Sequence, residues 1–345
     1  MKKLQSCVTR LRKWGTKMNK ENDVVISTRV RLARNLKKFP FPNRMNREQS
    51  EQLVNAVQNT VNERNNVIGL QYYDMAKLND TEKGRLVEEH LISPDLTGKQ
   101  IACGAFIKDG ISVMVNEEDH LRIQTIQSGM ALDECYTLAK NVDKLLAEGL
   151  DYAFSEKYGY LTSCPTNVGT AMRVSCMLHL PALTLTGQID SLLSVVAKLG
   201  LAVRGTYGEG SQSQGCMVQI SNQVTLGISE EDTIQKLSDV LKSVIEKERE
   251  ARKFLMEKHS LTIEDRAFRA LGTLRHARML TTSEFMSLYS DVRLGIFTGV
   301  LQDIDVTKLD RLTETVMPSH MAGKDPLPPQ MRDKKRAELV RNALS

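Results

Sequence analysis

The sequence predicts an α+β protein: an antiparallel β-sheet flanked by helices, with an all-helical C-terminal domain. Three observations predict it. Short β-rich runs alternate with segments of helical period over the first two-thirds of the chain. Two of those runs flank Asp109-Gly110, a strong signal for a tight antiparallel hairpin. Beyond about residue 258 the strand pattern stops and the composition is wholly helical. The expected division is therefore 1–257 for the α+β domain and 258–345 for a helical one.

The elements follow in order. V-V-I-S-T-R-V-R-L-A-R-N, from Val24, reads as a strand, and the turn-rich K-K-F-P-F-P-N-R follows it. Leu53, Val57, Thr60 and Val61 recur at helical spacing. The hairpin is followed by the acidic turn N-E-E-D-H and a third strand, L-R-I-Q-T-I. Residues 129 to 149 read as an amphipathic helix with Leu138, Val142, Leu145 and Leu146 inward and Gly149 at its end. M-R-V-S-C-M-L-H-L is a strand stopped by Pro181, and the helix I-D-S-L-L-S-V-V-A-K-L-G precedes strand L-A-V-R. A loop with Gly205, Gly208, Gly210 and Gly215 leads to strand C-M-V-Q-I-S, and a long charged helix runs from Ser229 to Lys258. In the C-terminal region Ala267, Ala270, Leu271 and Leu274, then Phe285, Leu288 and Tyr289, form apolar faces suited to a domain core or a homodimer surface. Thr282 or Ser283 is the expected N-cap before the second face.

Composition narrows the function. With 47 Lys and Arg against 42 Asp and Glu, the net charge of +5 suits anionic ligands but does not require nucleic acid, and no nucleic-acid motif is present. No apolar run is long enough to span a membrane, and the basic start lacks the apolar stretch of a signal peptide. Six scattered cysteines without a C-x-x-C pair argue against a disulfide framework or a zinc site, so no protein-ligated metal is expected and the reducing cytoplasm is the expected home.

The chemistry gathers around arginines. Arg29 and Arg31 sit two apart in a strand, on one face and about 6.5–7 Å from each other. Arg122 follows the acidic turn, and Arg173 and Arg204 mark later strands. Planar, permanently charged forks match phosphate oxygens bidentately, so this cluster reads as a triphosphate cradle. There is no Walker-type G-x-x-x-x-G-K-[ST] and no H-R-D or D-F-G set, so an ATP site here must be built from arginines. Cys164 lies in a Pro- and Gly-bounded turn near Arg173, where a neighbouring cation favours the thiolate.

S-T-R-V-R (Ser27–Arg31), N-E-E-D-H-L-R (Asn116–Arg122), C-P-T-N-V-G-T (Cys164–Thr170) and R-G-T-Y-G-E (Arg204–Glu209) resemble the phosphagen, or guanidino, kinases, in the same order over about 24 to 257. The resemblance implies that ATP is held by Ser27, Thr28, Arg29, Val30 and Arg31, by Arg122, by Arg173 with Val174, Ser175, Cys176 and Met177, and by Arg204 with Gly205, Thr206, Tyr207, Gly208 and Glu209. It places His90 by the adenine, has Glu118 and Glu209 grip the acceptor guanidinium, and gives Cys164 an active-site role. The chemistry agrees: a guanidinium with a pKa of about 12.5–13.8 is a poor nucleophile until a carboxylate orients it and helps remove a proton. Mg²⁺ is expected on the phosphates and water rather than on dedicated protein ligands.

Metabolite members of that family carry a helical domain ahead of the S-x-R-V-R strand. Here 23 residues precede Val24, so that lid is expected to be absent, while a helical segment follows at 258–345. This layout resembles the bacterial protein-arginine kinase branch. By that resemblance R-D-K-K-R-A, comprising Arg332, Asp333, Lys334, Lys335, Arg336 and Ala337, is an allosteric docking pocket for phosphoarginine. The resemblance further implies protein substrates presented through exposed arginines, marking for a Clp ATPase/protease, control of a stress-gene repressor, a zinc-binding activator and a homodimer. Two departures touch base recognition: Met177 stands where a second adenine-side histidine is usual, and Val224 replaces an acidic residue. Glu209 follows the arginine-kinase pattern. A small-molecule arginine kinase and a non-catalytic phosphoarginine-binding regulator are the alternatives.

Overall fold

The computed structural model describes residues 20–205, 214–322 and 327–345. The α+β expectation holds. Strands β1 (Val25–Arg34), β2 (Gln71–Asp74), β3 (Gly104–Lys108), β4 (Ile111–Val115) and β5 (Leu121–Ser128) come first. Between them lie helices α1 (Arg47–Ile68), α2 (Asp80–Glu88) and the short α3 (Pro94–Thr97). Helix α4 (Leu132–Ala147) leads to the small hairpin β6 (Phe154–Ser155) and β7 (Gly159–Tyr160), then to β8 (Met172–His179). Helices α5 (Pro181–Leu185) and α6 (Ile189–Lys198) precede β9 (Leu201–Gly205) and β10 (Met217–Asn222). The remainder is helical: α7 (Glu230–His276), α8 (Thr282–Phe297), α9 (Val306–Thr315), α10 (Pro318–Met321) and α11 (Pro329–Leu344). Strand order in the main sheet is β2-β3-β4-β5-β1-β8-β10-β9. None of the helices is long and apolar enough to cross a membrane, among the described residues.

The chain divides into two compact units, one built on Ser27–Cys176 and Ser221–Ser238, the other on Lys20–Ile26, Met177–Ile220 and Asp239–Ser345. In the first, the β3–β4 hairpin turns at Asp109 (φ 45°) and Gly110 (φ 81°), with Lys108 paired to Ile111. Two successive positive φ angles make the primed turn that matches strand twist, as Asp-Gly predicts. Strand alternation then separates two faces. Thr28, Val30, Leu32 and Arg34 turn toward the helix side, where the carbonyl of Cys135 in α4 accepts the Thr125 hydroxyl and the Cys135 thiol meets the Thr28 carbonyl. Arg34, 1% exposed, grips Asp143 bidentately at 2.8–3.1 Å and lies 3.5 Å from the centre of the Tyr160 ring. Ser27, Arg29 and Arg31 turn the other way.

In the second unit α7 breaks at His259 (φ −139°, ψ 30°), one residue past the expected helix end, and continues to His276. Ala267, Ala270, Leu271 and Leu274 join Phe285 and Tyr289 in one buried cluster, with Leu288 packed against it. These faces are core. The N-cap of α8 is Thr281, whose hydroxyl accepts the Glu284 N–H, not Thr282 or Ser283, which are already inside the helix. Arginines secure the entry to β1: Arg249 and Arg252 bind the Asp23 carboxylate, and Arg293 donates to the carbonyls of Asn22 and Asp23.

Candidate active site

The register of β1 with β5 builds a cationic face. Arg31 pairs with Gln124 and Ala33 with Arg122, so Arg29, Arg31 and Arg122 project from the same side of the sheet. Ala33 N–H also donates to the Ala171 carbonyl, bringing Arg173 on β8 alongside. The charges register one another. Burial, then Arg122 and Arg173, push the Arg29 guanidinium down to about 10. Burial and the repulsion of Arg29, Arg122 and Arg173 lower Arg31 well below its ordinary value, against a smaller opposing pull from Glu117. The Arg31 Nε is buried without a hydrogen-bond partner. Like charges held together at the expense of stability are poised for an anion, and a polyphosphate supplies several oxygens at once.

The acidic turn is divided by role. Glu117, fully buried, accepts Arg122 Nη1 at 2.9 Å, the Ser93 hydroxyl at 2.6 Å and the Glu118 N–H at 2.8 Å. Glu118 meets Arg122 at 3.3 Å and keeps 41% of its side chain exposed. Desolvation raises its carboxyl despite the pull of Arg122. Asp119 accepts the Asn35 amide at 2.6 Å and the Ser163 N–H at 2.7 Å, tying the end of β1 to the cysteine loop. There Cys164 is half-buried, its Sγ 3.0 Å from the Thr166 hydroxyl. Gly169 (φ 116°) closes that loop, and a Cβ there would stand 2.1 Å from the Thr225 carbonyl oxygen. His90 lies within electrostatic reach of Arg29: desolvation of the ring first and the Arg29 charge second push its imidazole down to about 4.

The structure thus brings together Arg29, Arg31, Arg122, Arg173, His90 and Glu118 within one unit. It narrows the nucleotide stretches. Thr28 and Cys176 touch each other at 3.4 Å on the helix side, and Val30 and Val174 are core, so these four side chains do not face the arginines. Period-2 alternation is the reason. Met177 packs against the apolar cluster of the second unit, where Arg204 and Gly205 end β9. Thr206, Tyr207, Gly208 and Glu209 lie outside the described residues. In α11, Ala337 is core and Arg336, 2% exposed, donates to the carbonyls of Val316 and Leu280 and to Asp333. Lys335 donates to the Met321 carbonyl, and Arg332 and Lys334 keep surface exposure. Sequence reading missed Glu117 as the support of Arg122, and Asn35 and Asp119 as the loop anchor. The signal was parity: Asn35 lies one residue beyond the strand that carries the arginines.

The antiparallel sheet, the arginine face and the carboxylate beside it define an ATP:guanido phosphotransferase. The family model described as "ATP:guanido phosphotransferase, C-terminal catalytic domain" matches residues 51–251, and that described as "Protein-arginine kinase McsB C-terminal domain" matches 260–345. A protein-arginine kinase of Caldanaerobacter subterraneus subsp. tengcongensis is 50% identical over 332 residues, 94% of this chain and 98% of that protein. One from Desulforamulus reducens is 46% identical over 96% of this chain and 95% of that protein. The chain belongs to the protein-arginine kinase family. Among solved structures, a duplicated taurocyamine kinase of Schistosoma mansoni matches with a TM-score of 0.60 and 28% identity, over 70% of this chain and 35% of that one. Lombricine kinase shares the fold, with a TM-score of 0.58 at 23% identity over 70% of each chain.

Proposed function

We infer that this chain is an ATP-dependent protein-arginine kinase. It transfers the γ-phosphoryl group of ATP to a guanidinium nitrogen of an arginine side chain in a protein. The observation that carries the reading is the face of Arg29, Arg31, Arg122 and Arg173, with Arg31 Nε unpartnered, beside the half-exposed Glu118. In the transfer the N–P bond forms as the bond from phosphorus to the ADP oxygen breaks, and the attacking nitrogen gives up a proton. Glu118 would orient that nitrogen and take the proton, and the arginines would neutralise the phosphoryl oxygens. Glu209 would fix the second edge of the guanidinium and Cys164 would hold it electrostatically. Mg²⁺ would come with the nucleotide and offset phosphate charge, and Glu117, already committed to Arg122, would not be its ligand.

The two family matches support assigning catalysis to 1–257 and docking to 258–345. In the docking part, Arg332 and Lys334 would meet a phosphoarginine over the floor made by Asp333 and Arg336. A homodimer, a Clp ATPase/protease, a stress-gene repressor and a zinc-binding activator are the proposed partners, and the cytoplasm the proposed location. Incubation with Mg-ATP and either an arginine-rich protein or free arginine tests the reading. Acid-labile phosphate on the protein is expected, and its absence with transfer to free arginine overturns the protein-acceptor assignment. Glu118→Ala and Glu209→Ala should each abolish transfer while ATP still binds.

A further inference from the structure

We propose that Gln124 is a positioning residue of the nucleotide site, pinning the backbone of His90 so that the imidazole stands beside Arg29. The proposal rests on the assignment of His90 to the nucleotide.

His90 occupies an unusual place for its residue type. Helix α2 ends in a two-bond cap: Leu91 N–H donates to the Leu86 carbonyl and His90 N–H to that of Val87, both at 2.9 Å. In this motif the residue after the cap adopts a left-handed conformation and is usually glycine. Here it is His90, with φ 57°. Glycine would take that conformation without strain, so the helix ending gains nothing from a side chain there. The imidazole lies within electrostatic reach of the Arg29 guanidinium.

Gln124 explains how the strained residue is held. Its side chain is buried, and its Nε2 donates to the His90 carbonyl at 2.6 Å. In the sheet Gln124 pairs with Arg31 on one side and Ser112 on the other, so one strand position links the histidine turn to the phosphate-binding row. The chemistry of the position is selective. A cation there would add to the repulsion around Arg31, and a carboxylate would pair with Arg31 and compete with phosphate. A neutral amide donates to the carbonyl and does neither.

The test is a double-mutant cycle in the full chain, read by the Kd for Mg-ATP in calorimetry and by KM and kcat on an arginine-rich protein. Gln124→Met keeps the volume and removes the donor. His90→Asn removes the ring but tolerates the left-handed backbone. Gln124→Met is expected to raise Kd and KM for ATP about tenfold while kcat at saturating ATP stays within about twofold. In the His90→Asn background it should add less than about twofold. A purely structural role would lower the thermal midpoint and leave ATP affinity unchanged. Gln124→Asn, whose shorter amide withdraws from the carbonyl, is expected to behave likewise and replaces the Met variant if that one does not fold. Weakening by His90→Asn with no effect of Gln124→Met overturns the positioning role alone, as do multiplicative losses in the double variant. Unchanged ATP affinity in His90→Asn removes the nucleotide assignment of His90, and the proposal with it.

Discussion

Glu117 holds the guanidinium of Arg122 at 2.9 Å from a position with no solvent exposure. The pair is supported by the Ser93 hydroxyl, so the buried carboxylate is a fixed counter-charge rather than a reagent. Glu117→Gln should therefore act in two ways. It should lower unfolding stability by about 3 kcal/mol, because a partly buried guanidinium loses its partner. It should also cut kcat about 100-fold by releasing the Arg122 guanidinium from its fixed place on the arginine face. Urea denaturation and steady-state assay read the two effects separately.

Glu118 differs in being half exposed and in having its carboxyl raised by desolvation. A base must be deprotonated to act, so activity is expected to fall on acidification through a pKa above that of an ordinary glutamate. Glu118→Gln should remove that acid limb and lower kcat about 10²–10⁴-fold with ATP affinity retained. An unchanged pH profile in the variant would assign the proton to another group.

Arg31 and Arg34 lie three apart on one strand and have opposite duties. Arg31→Met should stabilise the ligand-free protein slightly, since burial and three neighbouring arginines disfavour its charge, while ATP binding is lost. Arg34→Met should cost about 3–5 kcal/mol by stranding the Asp143 carboxylate, with the nucleotide affinity of the folded fraction nearly unchanged. Thermal melts with and without ATP distinguish the two: ligand-induced stabilisation persists in the second variant and vanishes in the first.

Much of this was legible in the sequence, and the parts that were not share a cause. The hairpin at Asp109-Gly110 and the shared strand face of Arg29 and Arg31 follow from local rules of turn and strand. Whether Thr28, Val30, Val174 and Cys176 belong to the site depended on which face the helices cover, and a run of matching residues does not reveal that. Glu117, Glu118 and Asp119 are three consecutive acids with three different settings: Glu117 buried against Arg122, Glu118 half exposed against the same guanidinium, and Asp119 accepting the Asn35 amide and the Ser163 N–H across the loop. Long-range hydrogen bonds made that distinction. The Thr281 cap was missed by one residue because adjacent threonines and a serine offer equivalent hydroxyls.

Cys164 should be the first of the described cysteines to react. Burial raises the thiols of Cys103 to about 11 and Cys176 to about 12, and raises those of Cys135 and Cys216 as well. Iodoacetamide at neutral pH followed by peptide mapping, in a Cys7→Ser background, should find Cys164 modified ahead of these four. Mg-ADP with an arginine-bearing protein should slow the labelling.

The arginines at the start of β1 bear on how the chain could be dissected. The two family matches end at residue 251 and begin at 260, yet Arg293, beyond that border, grips the carbonyls of Asn22 and Asp23. Severing the polypeptide at the border would strip main-chain oxygens of their donor immediately upstream of the strand that carries Arg29 and Arg31. The helical tail thus folds as one piece with residues 20–26, and a chain cut at the border would leave that lead-in segment without its guanidinium clasp.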